Sequence, residues 1–317
     1  MEKLRVRASL LNRWLRALSG KSYYHYQQGL GKVFKPGTLS GYFNDLTKKV
    51  NWKGEADEQG IPLVVLSNGE KKYFETTIVQ KALGHWDMWL LSSEESHKDY
   101  FLYYMGWLLE RQDGNGGWPV WAHLGLSAFS PYSAMTQGEC ISAFVRAWKI
   151  TSNFEFLKAA EKAFQLMIKP IDNGGTAIKY GNLLFLEEAP LSKERSTILN
   201  GWIFSIFGIY DLWLATGDKI YKKYLEDSLT TLKREIKYYD SNYWSFYDVK
   251  GNLSSPFYHL LHINQLEALE LIDGEGFFAR FRVRWLRYYG NLFKKSMALI
   301  IKGLQRLKNP GELVIVR

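Results

Sequence analysis

Apolar positions recur with a helical period along most of the chain after residue 75. Their spacing predicts helices near 76–92, 95–112, 134–151, 154–169, 199–216, 218–238, 259–272 and 275–306. Short links join most of them, but long glycine-rich or aromatic insertions occur at 113–133, 170–196 and 239–257. Successive antiparallel helix pairs with their long loops gathered at one end predict an α/α barrel or toroid, with the loops forming a cleft.

The pattern between residues 22 and 74 is typical of strands instead. Aromatic and branched runs (SYYHY, IPLVVL and KKYF) alternate with turn signals, and Asn68-Gly69 between two of these runs favours a hairpin. The sequence therefore predicts a mainly α protein in two parts. An N-terminal helix and β-rich portion at 1–75 precedes a toroid-like domain at 76–317, which ends in a basic helix.

The net charge of +9 is concentrated near the C-terminus. Nine lysines and arginines, and no acidic residue, lie between Arg280 and Lys308, with apolar residues at helical spacing among them. Such basic amphipathic helices lie on anionic membrane surfaces, or pack on the protein body with a solvated basic face. No nucleic-acid-binding module is recognisable, so we expect no nucleic acid partner.

Residues 1–21 mix leucines with arginines and lack the uninterrupted apolar core of a signal peptide. No segment has the length and apolarity of a membrane span. We therefore expect a cytoplasmic protein, with a peripheral position at the inner membrane face as the alternative that the basic helices allow. The single cysteine, Cys140, lies in a helical apolar pattern and is interpreted as a core thiol.

Several polar and aromatic side chains are candidates for contact with a ligand. Gln137 opens a predicted helix, where it is either a loop anchor or a ligand contact. Trp118 either packs within its loop or stacks on a sugar ring. Asn200, next to Gly201, is either a helix cap or a residue of the cleft.

One block is richer in chemistry than the others, because five polar or aromatic residues fall within eight positions: Tyr258, His259, His262, Asn264 and Gln265. His262 lies one helical turn after Tyr258, so both side chains can face the same way. Upstream, Tyr247 and Lys250 lie on a predicted hairpin, so two tyrosines and a cation can converge. Neither a carboxylate nor a third histidine stands at zinc-ligand spacing, and we predict no metal site.

These blocks resemble the C-terminal catalytic domain of glucuronyl 5-epimerases. The family has the forms YSAMAQG, EEYP followed by LNG and GLYDL, and YDLR followed by YHTTHINQL. This chain has YSAMTQG at 132–138, EEAP at 187–190, then LNG and GIYDL, YDVK at 247–250 and YHLLHINQL at 258–266. The resemblance covers roughly half of the chain. It implies a homodimer, and an acidic polysaccharide or oligosaccharide as substrate.

The family inverts carbon 5 of glucuronic acid units to give iduronic acid. A proton is removed from one face of the sugar ring, and another is returned to the opposite face. A tyrosine that acts as the base needs a nearby cation, because its reference pKa is near 10. The developing enolate also needs positive charge or hydrogen-bond donors. This two-base route requires no organic cofactor, and no GxGxxG motif is present.

The resemblance also implies roles for particular residues. Tyr247 and Tyr258 match catalytic tyrosines, and Lys250 stands where the family has a substrate-holding arginine. Glu188 matches a glutamate that precedes a further catalytic tyrosine, but here that position is Ala189. This leaves three possibilities: another residue, such as Tyr132, Tyr180 or Tyr243, is the second proton carrier; the substrate differs; or the chain has lost turnover. The expected substrate contacts are Lys250, Glu188, Tyr132, Gln137, Asn200, His262, Asn264 and Trp118.

Three other functions are compatible with these residues. A polysaccharide lyase begins with the same proton abstraction and then expels the substituent at carbon 4. A noncatalytic glycan-binding protein would tolerate the change at Ala189. A glycoside hydrolase needs two carboxylates facing each other across the cleft, and its candidates stand by position alone: Glu187, Glu188, Asp113 and Asp248.

Overall fold

The computed structural model of the chain describes residues 26–308. The predicted N-terminal helix and all but the last residue of the SYYHY run lie outside this range. Within it, the α-helices are α1 (Glu75–Ser92), α2 (Glu95–Glu110), α3 (Val120–His123), α4 (Ala134–Thr151), α5 (Phe154–Ile168), α6 (Leu199–Thr216), α7 (Lys219–Glu235), α8 (Pro256–Asp273), α9 (Phe277–Gly290) and α10 (Leu292–Lys308).

Links of two or three residues join four helix pairs: α1–α2, α4–α5, α6–α7 and α8–α9. Such short links make the two helices of each pair antiparallel. The first helices of the pairs contact one another in the order α1, α4, α6, α8, while each second helix packs mainly on its own partner. The predicted mainly α fold of antiparallel helix pairs is therefore confirmed, and the first helices form its inner layer.

Helices α4 and α6 form the centre of this layer. Every residue from Leu199 to Leu212 of α6 is buried, as expected for a helix that is apolar on all sides. The two backbones touch at Gly138 and Gly208, where a Cβ added to Gly208 would lie 2.5 Å from the carbonyl oxygen of Gly138. Only glycine permits this approach, so both glycines serve the packing of the inner layer.

A buried ion pair also joins α4 to α6. Arg146 Nη1 donates to Asp211 Oδ2 at 2.5 Å, and both side chains are almost fully buried. The same guanidinium donates to the carbonyl oxygens of Ser40 and Gly41, both at 3.1 Å. The pair therefore ties the segment before the first strand to the two central helices.

Two small antiparallel sheets accompany the helices. In the first, β2 (Pro62–Val65) lies between β1 (Glu55–Ala56) and β3 (Lys71–Tyr73). The predicted hairpin at Asn68-Gly69 is confirmed, and Gly69 has a φ of +88°, a conformation that favours glycine. The second sheet is a hairpin of β4 (Ala177–Tyr180) and β5 (Leu183–Leu186), which lies within the insertion at 170–196.

The predicted basic helix at 275–306 is two helices, because the helical conformation is interrupted at Asn291. Asn291 has an extended backbone, and its side-chain oxygen accepts from the backbone NH of Lys294 at 3.0 Å. It therefore caps the start of α10. Among the helices between residues 26 and 308, none combines the length and the apolar character that a membrane crossing requires.

Candidate active site

The carboxyl group of Glu188 lies over the first turn of α6. A Cβ added to Gly201 would be 2.1 Å from Glu188 Oε2, so this carboxyl occupies the space that a side chain would take. Asn200 Nδ2 donates to the same oxygen at 3.4 Å, and Gln265 Nε2 of α8 donates to the carbonyl oxygen of Asn200 at 3.0 Å. These contacts join the end of β5, the start of α6 and the middle of α8.

Glu187 and Glu188 are neighbours in sequence with different surroundings. Glu187 accepts from Thr197 Oγ1 at 2.5 Å and from the backbone and hydroxyl of Ser196 at 3.2 Å, so it anchors the chain before α6. Burial raises the pKa of Glu188 to about 8, and the negative charge of Glu187 acts in the same direction. Glu188 therefore keeps its proton near neutral pH.

Tyr247 and Tyr258 are in direct contact, with ring centroids 4.9 Å apart and an edge-to-face angle of 61°. Tyr258 lies in the first turn of α8, which Ser255 caps by accepting from the backbone NH of Tyr258 at 3.3 Å. The carbonyl oxygen of Tyr247 accepts from the backbone NH of Leu199 at 3.0 Å. The tyrosine pair is thus fixed beside the start of α6, where Glu188 also lies.

A cation from α10 completes this side of the site. Lys302 is 7% exposed, and its Nζ lies over the ring of Tyr247, 5.6 Å from the centroid. Gln305 holds α10 in place, because it accepts from the backbone NH of Leu253 at 2.9 Å and donates to the carbonyl of Gly251 at 3.1 Å. Positive charge therefore stands next to the tyrosine pair.

A second buried charged cluster joins α1 and α4. Glu139 is fully buried, and its Oε1 accepts from Gln80 Nε2 at 2.9 Å. No hydrogen-bond partner for Glu139 Oε2 is found between residues 26 and 308. Burial raises the pKa of Glu139 to about 8 and lowers that of Lys49 to about 8, while the attraction between the two opposes both shifts. Ionisation of Glu188 also raises the pKa of Glu139, so the two carboxyl groups are linked electrostatically.

The family described as "D-glucuronyl C5-epimerase C-terminus" matches residues 112–287, more than half of the chain. The chain belongs to this family. The matched region contains Tyr247, Tyr258, Glu187, Glu188 and Glu139, whereas Lys49, Gln80 and Lys302 lie outside it. Its YSAMTQG and GIYDL blocks supply Gly138, Gly208 and Asp211 to the packing of α4 against α6.

Comparison with individual proteins agrees with membership of the epimerase family. The chain is 26% identical to a D-glucuronyl C5-epimerase of Caenorhabditis elegans over 248 residues, which is 70% of this chain and 39% of that protein. It is 24% identical to an uncharacterized protein of Methanocaldococcus jannaschii over 155 residues, 48% of this chain and 50% of that protein. The chain thus spans half or less of these relatives.

Among solved structures, one titled as a UGL variant with dGlcA-Glc-Rha-Glc is similar at a TM-score of 0.47 and 14% identity. The similarity covers 93% of this chain and 84% of the other. At this level it supports no conclusion about the function of this chain.

Tyr132 and Trp118 hold the long loop after α2. Tyr132 donates to Asp113 Oδ2 at 2.5 Å, and burial raises its pKa to about 12. Trp118 is fully buried and donates to the carbonyl oxygen of Leu108 at 2.9 Å. Trp118 is thus buried against the end of α2, and its ring is not open to a ligand.

Gln137 and His262 are also fully buried. Gln137 donates to the carbonyl oxygens of Gly116 and Ala163, at 3.1 and 3.2 Å, and so anchors the same loop. His262 Nδ1 lies 3.0 Å from Ser245 Oγ, and burial holds its pKa well below the ordinary value, so the ring is neutral. In this conformation neither side chain presents a surface to a ligand.

Asn264 and Lys250 have surroundings of their own. Asn264 donates to the carbonyl oxygen of Gln28 at 2.7 Å and tethers the start of the described chain to α8. Lys250 is exposed in the turn between Asp248 and Gly251. Of the predicted site residues, the structure therefore brings four together: Tyr247, Tyr258, Glu188 and Asn200.

Four residues of the site were not among the predicted site residues. Glu139 directly follows the YSAMTQG block and Gln265 lies within YHLLHINQL, so the family blocks contain a signal for both. Lys302 lies on the basic helix, where nothing local distinguishes it from the other lysines. Lys49 is in a short 3-10 helix at Thr47–Val50, outside every recognised block.

Proposed function

We propose that this protein inverts carbon 5 of hexuronic acid units in an acidic polysaccharide or oligosaccharide, converting glucuronate to iduronate. The observation that carries the proposal is the epimerase family match over 112–287, a region that contains Tyr247, Tyr258 and Glu188. The Caenorhabditis elegans relative bears the name of this activity and supports it. The homodimer implied by the family is part of the proposal and is checked by the mass of the protein in solution.

The contact between the tyrosines limits how they act. Since the rings of Tyr247 and Tyr258 touch, no sugar ring lies between them in this arrangement, and they serve one face of the substrate. The second proton carrier must come from another part of the site. With alanine at position 189, we assign this role to Glu188, whose proton is retained to about pH 8. A carboxyl group with a pKa near neutrality can both donate and accept a proton efficiently.

Removal of the proton at carbon 5 places negative charge on the adjacent carboxylate. Lys302 supplies a cation beside Tyr247, and Asn200 supplies an amide donor at the start of α6. The N-terminus of α6 adds its positive dipole, since Ile198 makes no side-chain cap there. These groups are suited to stabilise an enolate.

The test is proton exchange followed by NMR in heavy water, with a panel of glucuronic acid polymers. We expect loss of the carbon 5 proton signal, together with iduronate signals and without new ultraviolet absorbance. Exchange with an unsaturated product would identify a lyase instead. No exchange over the panel, with the folded protein, would count against catalysis and favour glycan binding.

Two substitutions test the assigned roles. Tyr258→Phe and Glu188→Gln each remove one proton carrier with little change in shape, and each should slow exchange by about 10²-fold or more. The matched control is Tyr238→Phe, because Tyr238 is 55% exposed and has no assigned role. Normal turnover by Tyr258→Phe would refute the tyrosine assignment. Normal turnover by Glu188→Gln would return the second role to a tyrosine.

A further inference from the structure

Helix α10 has two faces with different surroundings. One face packs on the protein through Ala298, Lys302 and Gln305. The opposite face carries four large apolar side chains that are 77%, 64%, 53% and 69% exposed: Phe293, Ile300, Leu304 and Leu307. Their spacing of seven, four and three residues places them on one stripe, about 21 Å long at 1.5 Å per residue. We call these four residues the outer stripe.

The outer stripe needs a partner. Single exposed leucines are normal on protein surfaces, but a continuous ridge of large apolar side chains marks an interaction site. The ridge lies on the outer face of the last described helix, so it is convex. A convex apolar ridge can insert into the acyl region of a lipid bilayer or into a groove on another protein.

The charge around the outer stripe indicates which kind of partner can bind there. Residues 280–308 include nine lysines and arginines and no acidic residue. Arg282 and Arg284 pair with Glu267 and Asp240. In the part of the chain that the structure describes, no carboxylate pairs with Arg280, Arg287 or Lys308, which are exposed. The surface of α9 and α10 is therefore strongly positive.

A second copy of the chain is disfavoured as the occupant, because its own outer stripe would bring the same positive surface into contact. A polyanionic glycan matches the charge, but it has no apolar surface for Phe293 or Ile300. Anionic lipid matches both features, since its headgroups attract lysine and arginine while its acyl boundary accepts apolar side chains.

We propose that the outer stripe of α10 docks on an anionic lipid bilayer, with α10 lying in the plane of the interface. The exposed bases on α9 and α10 then face the headgroups. This docking does not depend on the epimerase reaction. If both hold, Lys302 on the inner face of the same helix keeps the active site close to the bilayer surface.

The test is cosedimentation of the full chain with vesicles of phosphatidylcholine, alone or mixed with phosphatidylglycerol. We expect partitioning into the mixed vesicles, and weaker partitioning at high salt, because screening shortens the reach of the charges from about 10 Å at 0.1 M to about 3 Å at 1 M. The double change Ile300→Ser and Leu304→Ser should reduce partitioning by about tenfold or more.

The matched control is the double change Phe154→Ser and Ile220→Ser, at side chains 61% and 56% exposed on α5 and α7. It should leave partitioning unchanged, and circular dichroism should show both variants folded. Absence of binding, equal binding to both vesicle types, or equal loss in the two double variants would overturn the proposal. So would a lipid-free dimer that the Ile300 and Leu304 changes convert to a monomer, since the occupant would then be a second copy.

Discussion

We predict a large loss of stability when the carboxylate of the buried pair of Arg146 and Asp211 is removed. Asp211→Ala removes the only carboxylate that the structure pairs with this guanidinium between residues 26 and 308. The carbonyl oxygens of Ser40 and Gly41 remain as acceptors, but they carry no full charge. The variant therefore keeps a buried cation without its counter-ion.

The expected cost is large for a single substitution. Breaking a buried ion pair by removing one partner costs about 3–5 kcal/mol, because the remaining charge is uncompensated in a medium of low polarity. Asp211→Asn should cost less, since its amide oxygen still accepts from the guanidinium. The control is Glu267→Ala, which breaks a pair of similar length, 2.6 Å to Arg282, with both side chains 31% exposed. Solvent screening limits that loss to at most about 1 kcal/mol.

The assay is urea unfolding of the four proteins at one pH and salt concentration, followed by far-ultraviolet circular dichroism. The expected order of unfolding free energy is native and Glu267→Ala highest, then Asp211→Asn, then Asp211→Ala. If Asp211→Ala costs no more than Glu267→Ala, the guanidinium does not depend on its carboxylate, and our account of the contact between α4 and α6 is wrong.

Three further predictions concern packing, the site cation and pH. Gly208→Ala should destabilise by about 1–3 kcal/mol because its Cβ would lie 2.5 Å from a backbone oxygen of α4, whereas Gly106→Ala, with open space around it, should raise the thermal midpoint. Lys302→Met should lower the exchange rate by about 10²-fold, and the exposed Lys250→Met should have a much smaller effect; equal effects would contradict the assignment of Lys302. Burial raises the pKa of Glu139 from near 4.5 to about 8, so with rising pH the unfolded state releases this proton before the folded state does. The free energy of unfolding should therefore fall as the pH rises between these two values, by at most about 1.4 kcal/mol per pH unit. Glu139→Gln should flatten this slope in urea titrations at several pH values, and an unchanged slope would exclude Glu139 as its source.

Most helices could be predicted from the sequence, because their apolar period and capping residues are local features. The predicted helices at 134–151 and 199–216 coincide with α4 and α6. The helix break at Asn291 was not predicted, since a single asparagine after glycine does not interrupt the apolar pattern on either side. The β4–β5 hairpin was not predicted either, because its strands are short and lie within a segment whose composition is typical of a loop.

The candidate site was predictable where family blocks supplied the residues. Tyr247 and Tyr258 meet as the hairpin and helix pattern indicated, and Glu188 joins Asn200 through two adjacent blocks. Lys302 was not predictable, because a lysine on a basic helix shows no local sign that the fold buries it. Its position depends on how α10 packs against the turn at Tyr247, which is a tertiary contact between distant residues.

Helix α10 couples the candidate site to a peripheral, partly exposed part of the fold. Much of its length is exposed, so it should open locally at a lower free energy than α4 or α6, which are buried along most of their length. Each such opening would withdraw Lys302 from Tyr247 while the central helices stay folded. The fraction of molecules with a complete site is then set by the closing equilibrium of one peripheral helix, and amide hydrogen exchange along residues 292–308 would measure it directly.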